Sequence, residues 1–261
     1  MTRKATAGKG DSPVADLLKG ALAWLERHGS RKRRNEMGPR YGIHADRAWG
    51  VAMADMQKLA RALGRNHELA LALWDNGWYE ARMLATLVDD PARVTAAQMD
   101  RWCRDFDNWA ICDTACFKLF DQTPHALGKV VQWARKDDEF VKRAAFALLG
   151  CVALHDRTTG DAAFAGLLPL IEKAAGDERN FVKKSLSWAL RAVGRRSGGL
   201  HAPSVAMAKR LAVSPHASAR WVGKDALRDL TGATVARRLA ARSGPAKPAT
   251  RAKAKAGAAR K

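Results

Sequence analysis

The feature that most constrains the fold is an internal echo. Phe140-Val141-Lys142-Arg143-Ala144-Ala145 is matched 41 residues later by Phe181-Val182-Lys183-Lys184-Ser185-Leu186. A further 41 residues on, Val222-Gly223-Lys224-Asp225-Ala226-Leu227 keeps the lysine, the small residue and the leucine of the second copy. Between the copies Ala and Leu recur at three- and four-residue spacings and β-branched runs are almost absent, the pattern of helix after helix. A period near 40 with two helices per unit is the signature of HEAT or armadillo solenoids. The expected fold is therefore all-α: a HEAT-like helical repeat solenoid, a curved superhelix with a concave basic face. Equivalent positions on successive second helices would line that face, so repeated lysines and arginines would form a groove suited to a duplex. Solvated charges on the convex side are the alternative.

Local signals agree with this reading. Ser12-Pro13, Asp90-Pro91, Thr123-Pro124 and Ser214-Pro215 each place a capping residue before a first-turn proline, and Thr95 with Gln98 has the spacing of a capping box. Arg31, Lys32, Arg33 and Arg34 read as a basic run between a first helix and a connector at Gly38-Pro39. Residues 1–11 and 233–261 have no apolar periodicity and are expected to be disordered basic segments flanking a repeat domain at 12–232.

The formal charge of +20 is concentrated at the two ends; residues 241–261 hold seven Lys/Arg and no acid. Basic arms on a moderately basic body are the footprint of a polyanion partner, with nucleic acid foremost. The N-terminus has no apolar run of the kind a signal peptide needs, and nowhere do about 20 apolar residues run together. The chain is expected to be soluble and cytoplasmic, nucleoid-associated when bound to DNA, monomeric, and without a membrane partner. Cys103, Cys112, Cys116 and Cys151 include no Cys-x-x-Cys pair and are expected to be reduced thiols. Cys112, Cys116 and nearby His125 lack a fourth ligand at useful spacing, so no metal and no organic cofactor are expected. His155-Asp156 reads as a helix-end cap or turn.

The stretch Asp105-Phe106-Asp107-Asn108-Trp109-Ala110-Ile111-Cys112-Asp113 opens a helix, with Asp105 or Asp107 as its expected cap. Trp109 and Asp113, at i and i+4, share a face that sets an aromatic surface beside a carboxylate. On the 41-residue frame Arg143 corresponds to Lys184, and Trp188 lies four residues beyond Lys184, so Arg143 and Trp188 fall on comparable faces of neighbouring units. Two tryptophans, a carboxylate and a guanidinium would then share one concavity.

This set resembles the AlkD-type alkylpurine DNA glycosylases built of HEAT-like repeats, over roughly residues 40–232. Trp109 and Asp113 match that family's Trp-x-x-x-Asp pair. Arg143, in Lys142-Arg143-Ala144-Ala145, matches the arginine that opens a later helix, and Trp188, in Trp188-Ala189-Leu190-Arg191, matches the aromatic of a Trp-x-Leu-Arg pattern. The strongly basic tail departs from the compact members. Tyr41-Gly42-Ile43 also resembles a family segment and reads as structural.

The resemblance implies a monofunctional DNA N-glycosylase that hydrolyses the N-glycosidic bond of cationic N3- or N7-alkylated purines in duplex DNA without flipping the base. A cationic base leaves as a neutral group, so the demand falls on stabilising an oxocarbenium-like sugar and the attacking water. Asp113 is the expected catalytic carboxylate, Trp109 and Trp188 would pack the deoxyribose, and Arg143 would pair with a phosphate. Lys183, Lys184, Arg191, Lys224 and Arg228 are candidate phosphate contacts. Trp24, Trp49, Trp74, Trp78, Trp102, Trp133 and Trp221 read as fillers between helices. Two other functions stay open: a non-catalytic HEAT-repeat protein that binds bent or branched DNA, and a helical-repeat scaffold for an acidic protein.

Overall fold

The computed structural model describes residues 13–243 and, within them, contains helices and no strand. Three helices come first: α1 (Pro13–Arg27), α2 (Arg31–Tyr41) and α3 (Met53–Leu63). Five successive pairs follow: α4 (His67–Asn76) with α5 (Tyr79–Val88), α6 (Ala96–Arg104) with α7 (Trp109–Lys118), α8 (Ala126–Trp133) with α9 (Glu139–His155), α10 (Asp161–Ala174) with α11 (Asn180–Arg196), and α12 (Gly198–Ala212) with α13 (Ala217–Leu230). The last helix is α14 (Ala233–Ser243).

The second members of the pairs, α5, α7, α9, α11 and α13, pack side by side as a continuous layer. They run parallel, because contacts between neighbours advance together. The Cys112 and Cys116 thiols on α7 donate to the Phe140 and Ala144 carbonyls at 3.8 and 3.6 Å. Arg143 and Gly150 on α9 meet Phe181 and Trp188 on α11. Ser187 on α11 donates to Asp225 on α13 at 2.6 Å. At the centre of the layer twelve of the 17 residues of α9 are buried, and beyond Arg143 the helix is apolar on every side to Ala153, as a helix covered on every side must be. The aromatic fillers mostly behave as expected; Trp74 on α4 and Trp102 on α6 stack at 4.0 Å and 2°. Trp221 does not, being 39% exposed.

Several local readings are corrected. Segment 31–40 is not a connector but α2 itself, N-capped by Ser30 and ended by Gly42 in the left-handed region at φ 62°, with Pro39 in its last turn. Asp90-Pro91 opens a turn, with Asp90 accepting from Ala92 N at 3.0 Å, and α6 starts only at Ala96. Thr95 caps α6 through Gln98 N at 3.1 Å, but Gln98 sends its amide to buried Asp89 at 2.6 Å rather than closing the box. The cap of α7 is Asn108, which accepts from the Ala110 and Ile111 amides, while Asp105 accepts from the Trp74 indole. The third repeat copy is displaced: α13 begins one helical turn earlier than a 41-residue frame places it, because Ser197 alone joins α11 to α12 where residues 156–160 join α9 to α10. A four-residue slip nearly preserves the helix face, so the sequence match survives it. Residues 233–243 form α14, with Val235 buried, where disorder had been expected. Residues 1–11 and the rest of the expected tail, 244–261, lie outside the described residues.

Candidate active site

Asp113 sits one turn into α7 on the face it shares with Trp109, and across from it Arg143 projects from the first turns of α9. Asp138 fixes the start of α9 by accepting from Phe140 N and Val141 N, both at 3.0 Å. The two charged groups meet fork to fork: Arg143 Nε donates to Asp113 Oδ1 at 2.9 Å and Nη2 to Oδ2 at 2.7 Å. Arg143 Nη1 also donates to the Phe181 carbonyl at 2.7 Å, and the guanidinium stands 5.8 Å from the Phe181 ring centre. The arginine side chain is 8% exposed and the aspartate 22%. Burial pushes the Asp113 carboxyl above its ordinary 3.8, and the Arg143 charge and hydrogen bonds oppose that shift. Arg143, expected to grip a phosphate, has each of its three guanidinium nitrogens bonded within the protein, two to Asp113 and one to the Phe181 carbonyl.

Trp109 is held from the opposite side. Its indole Nε1 donates to the Tyr41 carbonyl, at the end of α2, at 2.8 Å. Between α2, α5 and α7 lies a cleft of about 520 Å³ whose lining includes Trp109, Asp113, Tyr41, Tyr79, Arg33 and Arg40. Burial raises the pKa of the Tyr79 phenol, which therefore faces the cleft as a neutral hydroxyl. Asp113 thus ends in a cleft whose near wall is a basic helix.

Nothing in α2 itself explains why it stays there, since none of its residues is buried. The anchor is Glu80 in the first turn of α5, fully buried, whose carboxylate accepts from the amides of Trp49 (2.9 Å), Gly50 (2.6 Å) and Val51 (3.1 Å). Trp49 in turn stacks on Trp78 at 3.9 Å and offers its carbonyl to Ser30 N at 2.8 Å. Gly50 has φ 80°, and a Cβ there would run into the Ser30 carbonyl and the Arg34 amide nitrogen. Glu80 therefore holds α2, and α2 holds Trp109. Glu80→Gln turns donors toward donors and is expected to cost about 2–3 kcal/mol. Hydrogen exchange should show residues 30–51 losing protection before the rest of the chain; unchanged protection there would refute the anchor.

Trp188 lies apart from these three. Its indole fills the notch above Gly150, where a Cβ would come within 3.4 Å of it, and Gly150 is two turns along α9 from Arg143, roughly 10 Å. The ring beside the ion pair is instead Phe181, itself 5.5 Å from Phe140 and within reach of Gly42.

With that geometry in place, relationship can be read directly. The family model described as DNA alkylation repair enzyme matches residues 21–230. The chain belongs to this family. The match takes in α2, Glu80 and all four residues of the expected quartet, and stops before α14. No curated protein sequence matches the chain. Among solved structures, one superposes with a TM-score of 0.68 at 19% identity, covering 80% of this chain and 93% of its own. It belongs to a family of proteins related to the HEAT-like repeat DNA glycosylases with affinity for branched DNA structures. At that identity the likeness establishes the HEAT-like fold.

For this DNA repair family member the basic residues of the later helices divide into two groups. Lys184 and Lys224 are exposed, and no ion pair holds either among the described residues. Lys183 lies 5.1 Å over the Trp221 ring. Arg191 and Arg228 are less available, because both pair with Asp225. Elsewhere, His155 pairs with buried Asp121, while Asp156 accepts from Thr158 and Thr159 in the turn after α9. Cys112 and Cys116 are buried, and no group of His, Cys, Asp and Glu among the described residues is placed to hold a metal ion. No described helix is long and apolar enough to cross a membrane.

Proposed function

We propose that the chain is a DNA N-glycosylase that hydrolyses the N-glycosidic bond of cationic N3- or N7-alkylated purines in duplex DNA. The observation that carries this is the carboxylate of Asp113, held bidentately by Arg143 and opening into the cleft beside Trp109. A carboxylate has about four lone-pair sites. Arg143 takes two, and the remaining capacity faces the cleft, where it can orient a water molecule and stabilise a positive sugar. The leaving base carries the positive charge into the bond that breaks and departs neutral, so the site needs no general acid. Trp109 packs the deoxyribose and offers its ring face to the developing cation. Trp188, about 10 Å along, contacts a neighbouring part of the strand rather than the same sugar; 10 Å is about three base-pair rises at ~3.4 Å each. Arg33 and Arg40 on α2, with Lys184 and Lys224, supply the phosphate contacts that Arg143 does not. The base stays outside the protein.

The test compares duplexes carrying methylated cationic purines with duplexes carrying uracil or hypoxanthine, scoring free base and abasic sites, alongside binding measured across a salt series. Release confined to the cationic bases, with affinity falling steeply as salt rises, is expected. Equal release of neutral bases would refute the mechanism. A second reading, a DNA-binding protein without catalysis, draws on the ion pair itself, which is also what a purely structural pair looks like, and on the branched-DNA affinity of the structural neighbour's family. Binding without release of any base would favour it.

A further inference from the structure

All nine tryptophans fall among the described residues, and Trp221 is the one left exposed. It stands on α13 with the Lys183 ammonium 5.1 Å from its ring centre. The arrangement repeats one found a helix earlier, where the Arg143 guanidinium lies 5.8 Å from Phe181. The earlier rung is closed: Arg143 is bound to Asp113 and the Phe181 carbonyl, and Phe181 lies against Gly42. The later rung is open. Among the described residues no carboxylate pairs with Lys183, with Lys184 beside it, or with Lys224, which lies three residues from Trp221 on the same side of α13. The acids that follow Trp221 along α13 are already matched, Asp225 by Arg191, Arg228 and the Ser187 hydroxyl and Asp229 by Arg195.

An exposed indole with the Lys183 ammonium at its ring, and with exposed Lys184 and Lys224 next to Lys183 and one turn from Trp221 in sequence, has a specific complement: a nucleobase face joined to phosphates. Within a duplex each base is covered on both sides by its neighbours. Apart from the outer face of a terminal base pair, only an unpaired nucleotide, in a single-stranded tail, gap or branch, offers a free face, and it alone can turn both that face and its own phosphates toward Trp221 and the lysines. We propose that Trp221, with Lys183, Lys184 and Lys224, is a stacking site for one unpaired nucleotide of DNA, separate from the Asp113 cleft. The proposal rests on the reading of the chain as a DNA-binding protein and not on its catalysis.

The test uses the full chain and two fluorescent DNAs, a blunt duplex and the same duplex with a short single-stranded tail, with binding followed by anisotropy at fixed salt. The intact protein is expected to bind the tailed DNA about tenfold more tightly, the scale of one stacked base. Trp221→Ala should abolish that preference and leave blunt-duplex affinity within about twofold; Trp221→Tyr should keep most of it. Equal binding of the two DNAs by the intact protein would overturn the proposal, as would an equal loss on both DNAs in Trp221→Ala. Duplex binding that persists in either case leaves the DNA-binding reading standing, whereas an intact protein that binds neither DNA removes both.

Discussion

Arg143→Ala is expected to destabilise the fold by about 3–5 kcal/mol, the usual cost of deleting one member of a buried ion pair. Three hydrogen bonds go with it, and Asp113 is left partly buried without its countercharge. For a domain of this size the melting temperature should fall by on the order of 10 °C. Replacing both partners together, Asp113→Leu with Arg143→Met, should recover much of that loss, because neither charge is then stranded. A pair of single and double variants that lose stability additively would contradict the coupling. Arg143→Lys, which keeps the charge but not the fork, separates orientation from stability. The proposed mechanism requires Asp113 ionised, and burial raises its pKa against the opposing influence of Arg143. Activity therefore falls as pH drops through a value above 3.8, and weakening Arg143 moves that acid limb to higher pH.

The second large effect falls on rate. Asp113→Asn keeps the shape and one acceptor for Arg143 but removes the negative charge that faces the sugar, and base release should drop about 10²–10³-fold. DNA affinity should change little, since this carboxylate contacts no phosphate. A loss of binding equal to the loss of rate would make Asp113 a residue that shapes the DNA surface and not one that acts on the bond.

How far the sequence could be read depended on whether a feature was local. Trp109 and Asp113 were legible because helical spacing alone puts i and i+4 on one face, and the 41-residue echo located α9 and α11 because both copies keep their apolar register. Trp188 was placed with the other three on that same frame, but the frame gives a face and not a height, and the residue stands two turns from Arg143. The geometry of the Asp113–Arg143 pair was hidden for a related reason: spacing cannot show how a carboxylate on one helix and a guanidinium on the next will meet. Helix α2 was missed because it has no apolar stripe, and its stability comes from Glu80, distant in sequence, through backbone amides that carry no side-chain pattern. Trp221 was assigned to the core by the general habit of large aromatics. Its place on the outermost helix of the parallel layer leaves it no further helix of that layer to pack against.

Single-turnover release of 7-methylguanine and 3-methyladenine from methylated duplex DNA, with enzyme in excess and Asp113→Asn alongside, bears most directly on the proposed activity. Release of both bases by the intact protein and near-complete loss in the variant are the expected result. Salt-sensitive duplex binding with no release above a mock purification, or release undiminished by Asp113→Asn, would contradict it.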